Sequence, residues 1–186
     1  MHVCCAQEQT CKEHESYYLT QAENCFSNFF NTNGVDKLKF KRSFEQYFVE
    51  SNLVEKDLSK GKLYIQILEA LEKNPDKLPP VKQKDYVFQV AKKLKLTVHD
   101  FEQSKQLDCL VNQYYKYREV CPLDNKSGLY VVGDVSRSMQ EIENIHYQFI
   151  AYTLVYFTNE KDFENEALED AVVMLFWFQI ASRYGG

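Results

Sequence analysis

The side chains best suited to chemistry in this chain are six cysteines, and their spacing decides which chemistry is open to them. Cys4 and Cys5 are adjacent; the others are Cys11, Cys25, Cys109 and Cys121. A zinc site needs closely spaced Cys or His ligands, and no C-x-x-C pair occurs; Cys11 with His14 is the one close candidate, and further ligands lack a recognisable spacing. A catalytic thiolate needs a neighbouring base, which no second pairing supplies. An even number of regularly spaced cysteines instead points to a disulfide framework in an oxidising compartment.

Other reactive groupings are weaker. Glu143-Asn144-Ile145-His146 has the Glu-x-x-His form of a di-iron ligand pair, but no second copy accompanies it, and His146 between Ile142 and Phe149 reads as a core or boundary histidine. Asp162, Glu164, Glu166, Glu169 and Asp170 could hold a cation, although acidic groups in the first turn of a helix serve its dipole equally well. Gly128 and Gly133 lack the Lys and Ser/Thr of a phosphate loop, and neither a nucleophile elbow nor an H-E-x-x-H sequence occurs. The expectation is a protein without catalytic residues, metal or cofactor.

The cysteines belong to a longer pattern. CKEHESYYLTQAENC, Cys11 to Cys25, returns as CLVNQYYKYREVC, Cys109 to Cys121, each with a central Tyr-Tyr pair. Tyr18 stands seven residues from both of its cysteines and Tyr115 six from both of its own. Glu55-Lys56-Asp57-Leu58 is answered by Glu160-Lys161-Asp162-Phe163. These echoes, at offsets of 97 and 105 residues, read as a duplication.

The elements that must position these groups are all helical. A capping box at Thr10-Cys11-Lys12-Glu13 opens a first helix, with Tyr18, Ala22, Phe26, Phe29 and Phe30 at helical spacing until Asn33-Gly34. A second runs from about Asp36 to Glu50, with Phe40, Phe44, Tyr47 and Phe48 inward and Lys37, Lys39, Lys41 and Arg42 toward water. A third, with Tyr64, Ile67, Leu68 and Leu71 on one face, stops at Asn74-Pro75. Pro79-Pro80 marks a boundary between residues 1–78 and 79–186, two halves of one folding unit. The second half begins with a helix over about Val81 to Leu94. Thr97-Val98-His99-Asp100 caps the next, which carries Phe101, Leu107, Leu110, Val111, Tyr114 and Tyr115. Leu123 to Val135, with two glycines, reads as an ordered loop. Ser138-Met139-Gln140-Glu141 then opens a helix with Ile142, Ile145, Phe149, Tyr152 and Tyr156 inward, and the last helix, apolar all round from Val172 to Phe178, is the most buried. The predicted fold is an all-α, disulfide-stapled bundle of about seven helices built from two related, packed halves, with Tyr18 and Tyr115 as equivalent core residues.

Helix geometry limits the bridges. Cysteines 14 residues apart lie about 21 Å apart along a helix and those 12 apart about 18 Å, beyond the ~7 Å that a disulfide spans. Neither helix can bridge itself. Antiparallel packing pairs Cys11 with Cys121 and Cys25 with Cys109 and suits an internal two-fold; parallel packing pairs Cys11 with Cys109 and Cys25 with Cys121 and fits the spacings equally well. Cys4 and Cys5 could bridge each other, replace Cys11, or link chains.

Composition narrows the function classes. The net charge of −5 lacks the basic footprint of a generic nucleic-acid binder. Residues 36 to 95, however, carry 14 basic and 9 acidic groups, a net of +5 that leaves −10 for the rest. The 13 Phe and 13 Tyr supply a core, and could also line a ligand pocket. No apolar run reaches the ~18 residues of a membrane span. The cysteines, together with a candidate glycosylation sequence at Asn125-Lys126-Ser127, suggest a secreted chain from which a signal peptide has been removed.

The doubled pattern Cys11/Tyr18/Cys25 and Cys109/Tyr115/Cys121 resembles the bicycle proteins, secreted salivary effectors of aphids named for two cysteine-tyrosine-cysteine motifs. Cys4-Cys5 is not part of that motif. The resemblance implies delivery into plant tissue, linked in some members to gall formation, and implies no biochemical activity; the motif residues carry over as scaffold. The leading expectation is a secreted, non-enzymatic effector that binds a host macromolecule through a basic surface including Lys37, Lys39, Lys41, Arg42, Lys82 and Lys84. A carrier of a small hydrophobic ligand in the helical core is the alternative, and a cytosolic helical adaptor with free thiols the third.

Overall fold

The computed structural model describes the backbone of residues 2–95, 108–122, 126–142 and 145–184. Eight α-helices and no strand lie among them. They are α1 (His2–Thr32), α2 (Lys37–Glu50), α3 (Lys60–Lys73), α4 (Tyr86–Lys93), α5 (Asp108–Val120), α6 (Gly128–Glu141), α7 (Tyr147–Phe157) and α8 (Glu166–Tyr184), with 3-10 turns at Pro75–Lys77 and Asp162–Glu164.

α1 begins well before the predicted capping box. No Pro or Gly interrupts residues 2–33, so Thr10 lies within the helix rather than at its start. Its end is set by Gly34, whose φ of 61° is a left-handed conformation costly for other residues. The Gly34 N–H donates to the Asn31 carbonyl and the Val35 N–H to the Phe30 carbonyl, satisfying two orphan acceptors of the last turn. α2 follows at once, its first turn capped by the Asp36 carboxylate accepting from the Lys39 N–H at 2.9 Å.

α8 is the centre of the bundle. Every residue from Ala167 to Ala181 is buried, against α1, α2, α4 and α6. This is why the segment is apolar all round: it has no wet face. Its rings interlock with those of α2, Phe178 on Phe40 and Trp177 on Phe44, with centroids 5.3 and 5.7 Å apart. Around this centre α1 packs on α5, α3 on α7 and α5 on α6, so one hydrophobic core runs across the Pro79-Pro80 connector. The second copy of the short downstream repeat brings Phe163 into that core, stacked on Tyr64.

Three predicted elements are placed differently. α4 starts at Tyr86, not Val81, because the Asp85 carboxylate accepts from the Lys82 N–H and holds the preceding residues in a turn. Its buried face is Val87, Val90 and Ala91, with Tyr86 and Leu94 half-buried. The predicted loop before Val135 is largely α6, with the Ser127 hydroxyl capping it by accepting from the Tyr130 N–H. Gly133 lies in that helix because Tyr114 of α5 packs directly on it; a Cβ there would overlap the ring. Ser138-Met139-Gln140-Glu141 therefore closes a helix instead of opening one. α7 starts after His146, whose imidazole Nδ1 accepts from the Gln148 N–H as its cap. Its buried residues are Tyr147, Ile150, Ala151 and Leu154, while Phe149, Tyr152 and Tyr156, predicted inward, are exposed, as is Ile142. The predicted cap at Thr97 to Asp100, with Phe101 and Leu107, lies outside the described residues, as do Glu143 and Asn125.

Candidate functional site

The two cysteine-bearing helices run antiparallel and are bridged twice, Cys11 to Cys121 and Cys25 to Cys109, with Cα separations of 5.7 and 6.0 Å. Side chains of Cys4 and Cys5 lie outside the described residues. The four bridged sulfurs are neither nucleophiles nor ligands; they staple α1 to α5. Between the staples the tyrosines are not equivalent. Tyr18 is half-buried against the fully buried Tyr117, ring centroids 6.3 Å apart, whereas Tyr115 points outward and is 42 % exposed. Tyr114 is the other buried ring of α5. Its hydroxyl donates to Asp134 of α6 and accepts from Arg118, both at 3.0 Å. Burial, reinforced by the Asp134 carboxylate, pushes the Tyr114 phenol up to about 12.

The predicted basic surface divides in two. Lys37 and Lys41 turn inward to the start of α8, where Lys37 Nζ meets Asp170 at 2.8 Å and Glu166 at 2.9 Å. Lys41, a buried residue, pairs with Glu169 and with Asp170 at 3.5 Å. Burial alone would lower both ammonium pKa values; the facing carboxylates more than reverse it and leave both raised. Burial raises the Glu169 carboxyl despite Lys41, while Lys37 holds the more exposed Glu166 below the ordinary range. The acidic cluster predicted as a dipole complement or cation site is thus, through these three residues, the counterpart of α2 lysines, and it pins α2 to the central helix. Both lysines are thus held by ion pairs within the fold, unlike the rest of the predicted basic surface, which forms none among the described residues.

Lys39, Arg42, Lys82 and Lys84 remain exposed. Lys39, Arg42 and Lys84 line an open hollow of about 620 Å³ between α2 and α4, together with Leu38 and Tyr86. Lys39 Nζ sits over the Tyr86 ring at 4.3 Å, and the Tyr86 hydroxyl accepts from the Asp36 N–H. Asp36 and Asp85 also line the hollow, each accepting from a backbone N–H and keeping its charge, while Arg42 and Lys84 form no ion pair among the described residues. The hollow therefore gathers three cationic side chains and two carboxylates around an exposed leucine, with cations in the majority.

His146 is exposed at the start of α7, and slight burial with the nearby Arg183 guanidinium lowers its pKa. Among the described residues no group of three or more His, Cys, Asp or Glu side chains is placed to hold a metal ion, and no helix is long and apolar enough to cross a membrane.

One surface was missed from sequence. Phe149, Tyr152, Tyr156 and Phe157 of α7 are 61, 50, 70 and 55 % exposed. The signal was present in the stretch YQFIAYTLVYF, which has more apolar positions than one buried face can use and no charge to mark the wet side. Compared with known proteins, the chain matches no protein-family model, no curated protein and no solved structure.

Proposed function

We propose that the protein is a secreted, non-catalytic binding protein that docks an acidic surface of a macromolecular partner in the hollow between α2 and α4. The observation that carries this reading is the convergence of Lys39, Arg42 and Lys84 on one open concavity while their former companions Lys37 and Lys41 are neutralised inside the fold. Charge presented this way steers association with an acidic partner and sets its orientation. Two disulfides joining distant segments suit a scaffold that must stay rigid in an oxidising compartment. The resemblance of the doubled Cys-Tyr-Cys pattern to the bicycle effectors supports a plant-host macromolecule as the partner and delivery in saliva. The carrier alternative gains no support, since the core aromatics pack against each other.

The test is capture of partners from plant tissue extract by the oxidised chain, followed by measurement of affinity for the captured protein. Arg42→Glu with Lys84→Glu is expected to weaken binding about tenfold or more, and rising salt to weaken the wild-type complex. Lys116→Glu, on an exposed position of α5, serves as the control. Equal affinity of the hollow variant and the wild type would remove this surface from the function.

A further inference from the structure

The outer face of α7 answers to none of the roles described so far. Phe149, Tyr152 and Tyr156 are spaced three and four residues apart, which places them in one stripe along the helix, and Phe157 widens that stripe at its C-terminal end. The opposite side, Tyr147, Ile150, Ala151 and Leu154, is spent on the packing against α3 and α6. Tyr152 and Tyr156 stack on each other with centroids 6.2 Å apart, and Tyr156 meets the edge of Phe157 at 4.8 Å. Tyr152, Tyr156 and Phe157 thus form a continuous surface, which Phe149 extends by its place in the same stripe. Isolated exposed apolar residues need no explanation, but a contiguous patch does.

We propose that this face is a self-association surface, paired antiparallel with α7 of a second copy of the chain. Two observations favour a second copy as the occupant. The first is area. The four aromatic residues leave on the order of 500 Å² of surface per chain, so two copies can bury up to about 1,000 Å² from them, which with the flanking side chains reaches the threshold of a specific interface. The second is charge. α7 carries no ionisable side chain other than its tyrosines, so two copies approach without like-charge repulsion. Its ends differ: Arg183 stands over the Tyr147 ring at the N-terminal end, while exposed Glu160 and Glu164, with Lys161, follow the C-terminal end. Antiparallel pairing brings the N-terminal end of each α7 to the C-terminal end of the other and opposes the two helix dipoles. The surface is separate from the α2–α4 hollow and does not depend on the function assigned to it.

Sedimentation velocity of the oxidised full chain, from low micromolar to near-millimolar concentration, tests the proposal. A reversible dimer is expected. Tyr156→Lys and Phe149→Lys, both at exposed positions that leave the core intact, each weaken association about 30-fold or more, the scale of a central aromatic anchor. Arg42→Glu leaves the dimer constant unchanged, so failure here is distinguishable from failure of the hollow. A chain monomeric throughout the range, or a dimer indifferent to both lysine substitutions, overturns the proposal. So does a monomer that binds phosphatidylcholine vesicles and loses that binding with Tyr156→Lys, which would give the face to a lipid surface.

Discussion

In α1 the tyrosine midway between the cysteines lies on the cysteine side of the helix; in α5 it lies on the far side. Helical turn arithmetic accounts for the difference. Seven residues from Cys11 to Tyr18 fall about 20° short of two full turns, and seven more to Cys25 about 40° short of four, so all three residues share a face. Six residues from Cys109 reach Tyr115 at about 240° past a full turn, whereas Cys121, twelve on, stands at about 120°, so Tyr115 points away from the arc that the cysteines enclose. Tyr117, eight residues on and at about 80°, falls within that arc, and it is the ring that meets Tyr18. Two copies of a motif can keep the same residue types and lose equivalence when the spacing shortens by one residue on each side, because the cysteines fix register while the angle decides burial.

The sharpest way to break this comparison is to truncate each tyrosine of α5 in turn. Tyr117→Ala empties a fully buried ring site and should cost about 3–5 kcal/mol, while Tyr115→Ala, which loses only an outer ring contact with Tyr114, should cost about 1 kcal/mol. Urea midpoints measured without reductant decide it; equal losses at the two positions would mean that Tyr115 is in the core after all.

The staples come next. Replacing Cys11 and Cys121 together by serine, or Cys25 and Cys109 together, should cost about 2–4 kcal/mol in either case by freeing the unfolded chain. A non-reducing peptide map should recover these same pairs, and a Cys11–Cys109 peptide would show the helices to be parallel.

The smallest effect concerns Tyr114, the buried neighbour of the outward Tyr115. Its proton is held to about pH 12 in the folded chain against 10.0 for an ordinary tyrosine. The stability this contributes is complete below pH 10 and is lost as pH rises through 12. Ultraviolet titration of phenolate should show at least two late-ionising tyrosines, Tyr64, which burial raises well above the ordinary value, and Tyr114, and only the Tyr114 phase should move earlier with Asp134→Asn. An unchanged late phase in that variant would leave burial as the sole cause.

Elements with one wet and one dry side were legible in the sequence. α2 and α3 have apolar residues at helical spacing and charges between them, and their buried positions, Phe40, Phe44 and Phe48, then Tyr64, Ile67, Leu68 and Leu71, follow from that period. α8 was legible for the opposite reason, having no wet side. α6 and α7 were not. In α6 the glycines look like turn residues, and only the approach of Tyr114, from another helix, explains Gly133. In α7 both sides are apolar, so periodicity leaves the phase undetermined, and the inward and outward stripes were exchanged. Of the basic surface, Lys39, Arg42 and Lys84 converge as a local charge excess suggests. Lys41 does not, because the carboxylates that take it inward lie 129 residues away in the case of Asp170 and have no local signature.

Trp177 is the one tryptophan of the chain, and it sits where α8 meets α2, its indole N–H donating to the Ser43 hydroxyl at 3.0 Å between the rings of Phe44 and Tyr47. Its fluorescence is therefore a built-in reporter of the docking of one particular helix on the bundle axis. The bridges join α1 to α5 elsewhere in the molecule. Reductive opening of the staples and loosening of the axis can be followed as separate optical and chemical signals in the same sample, without a label.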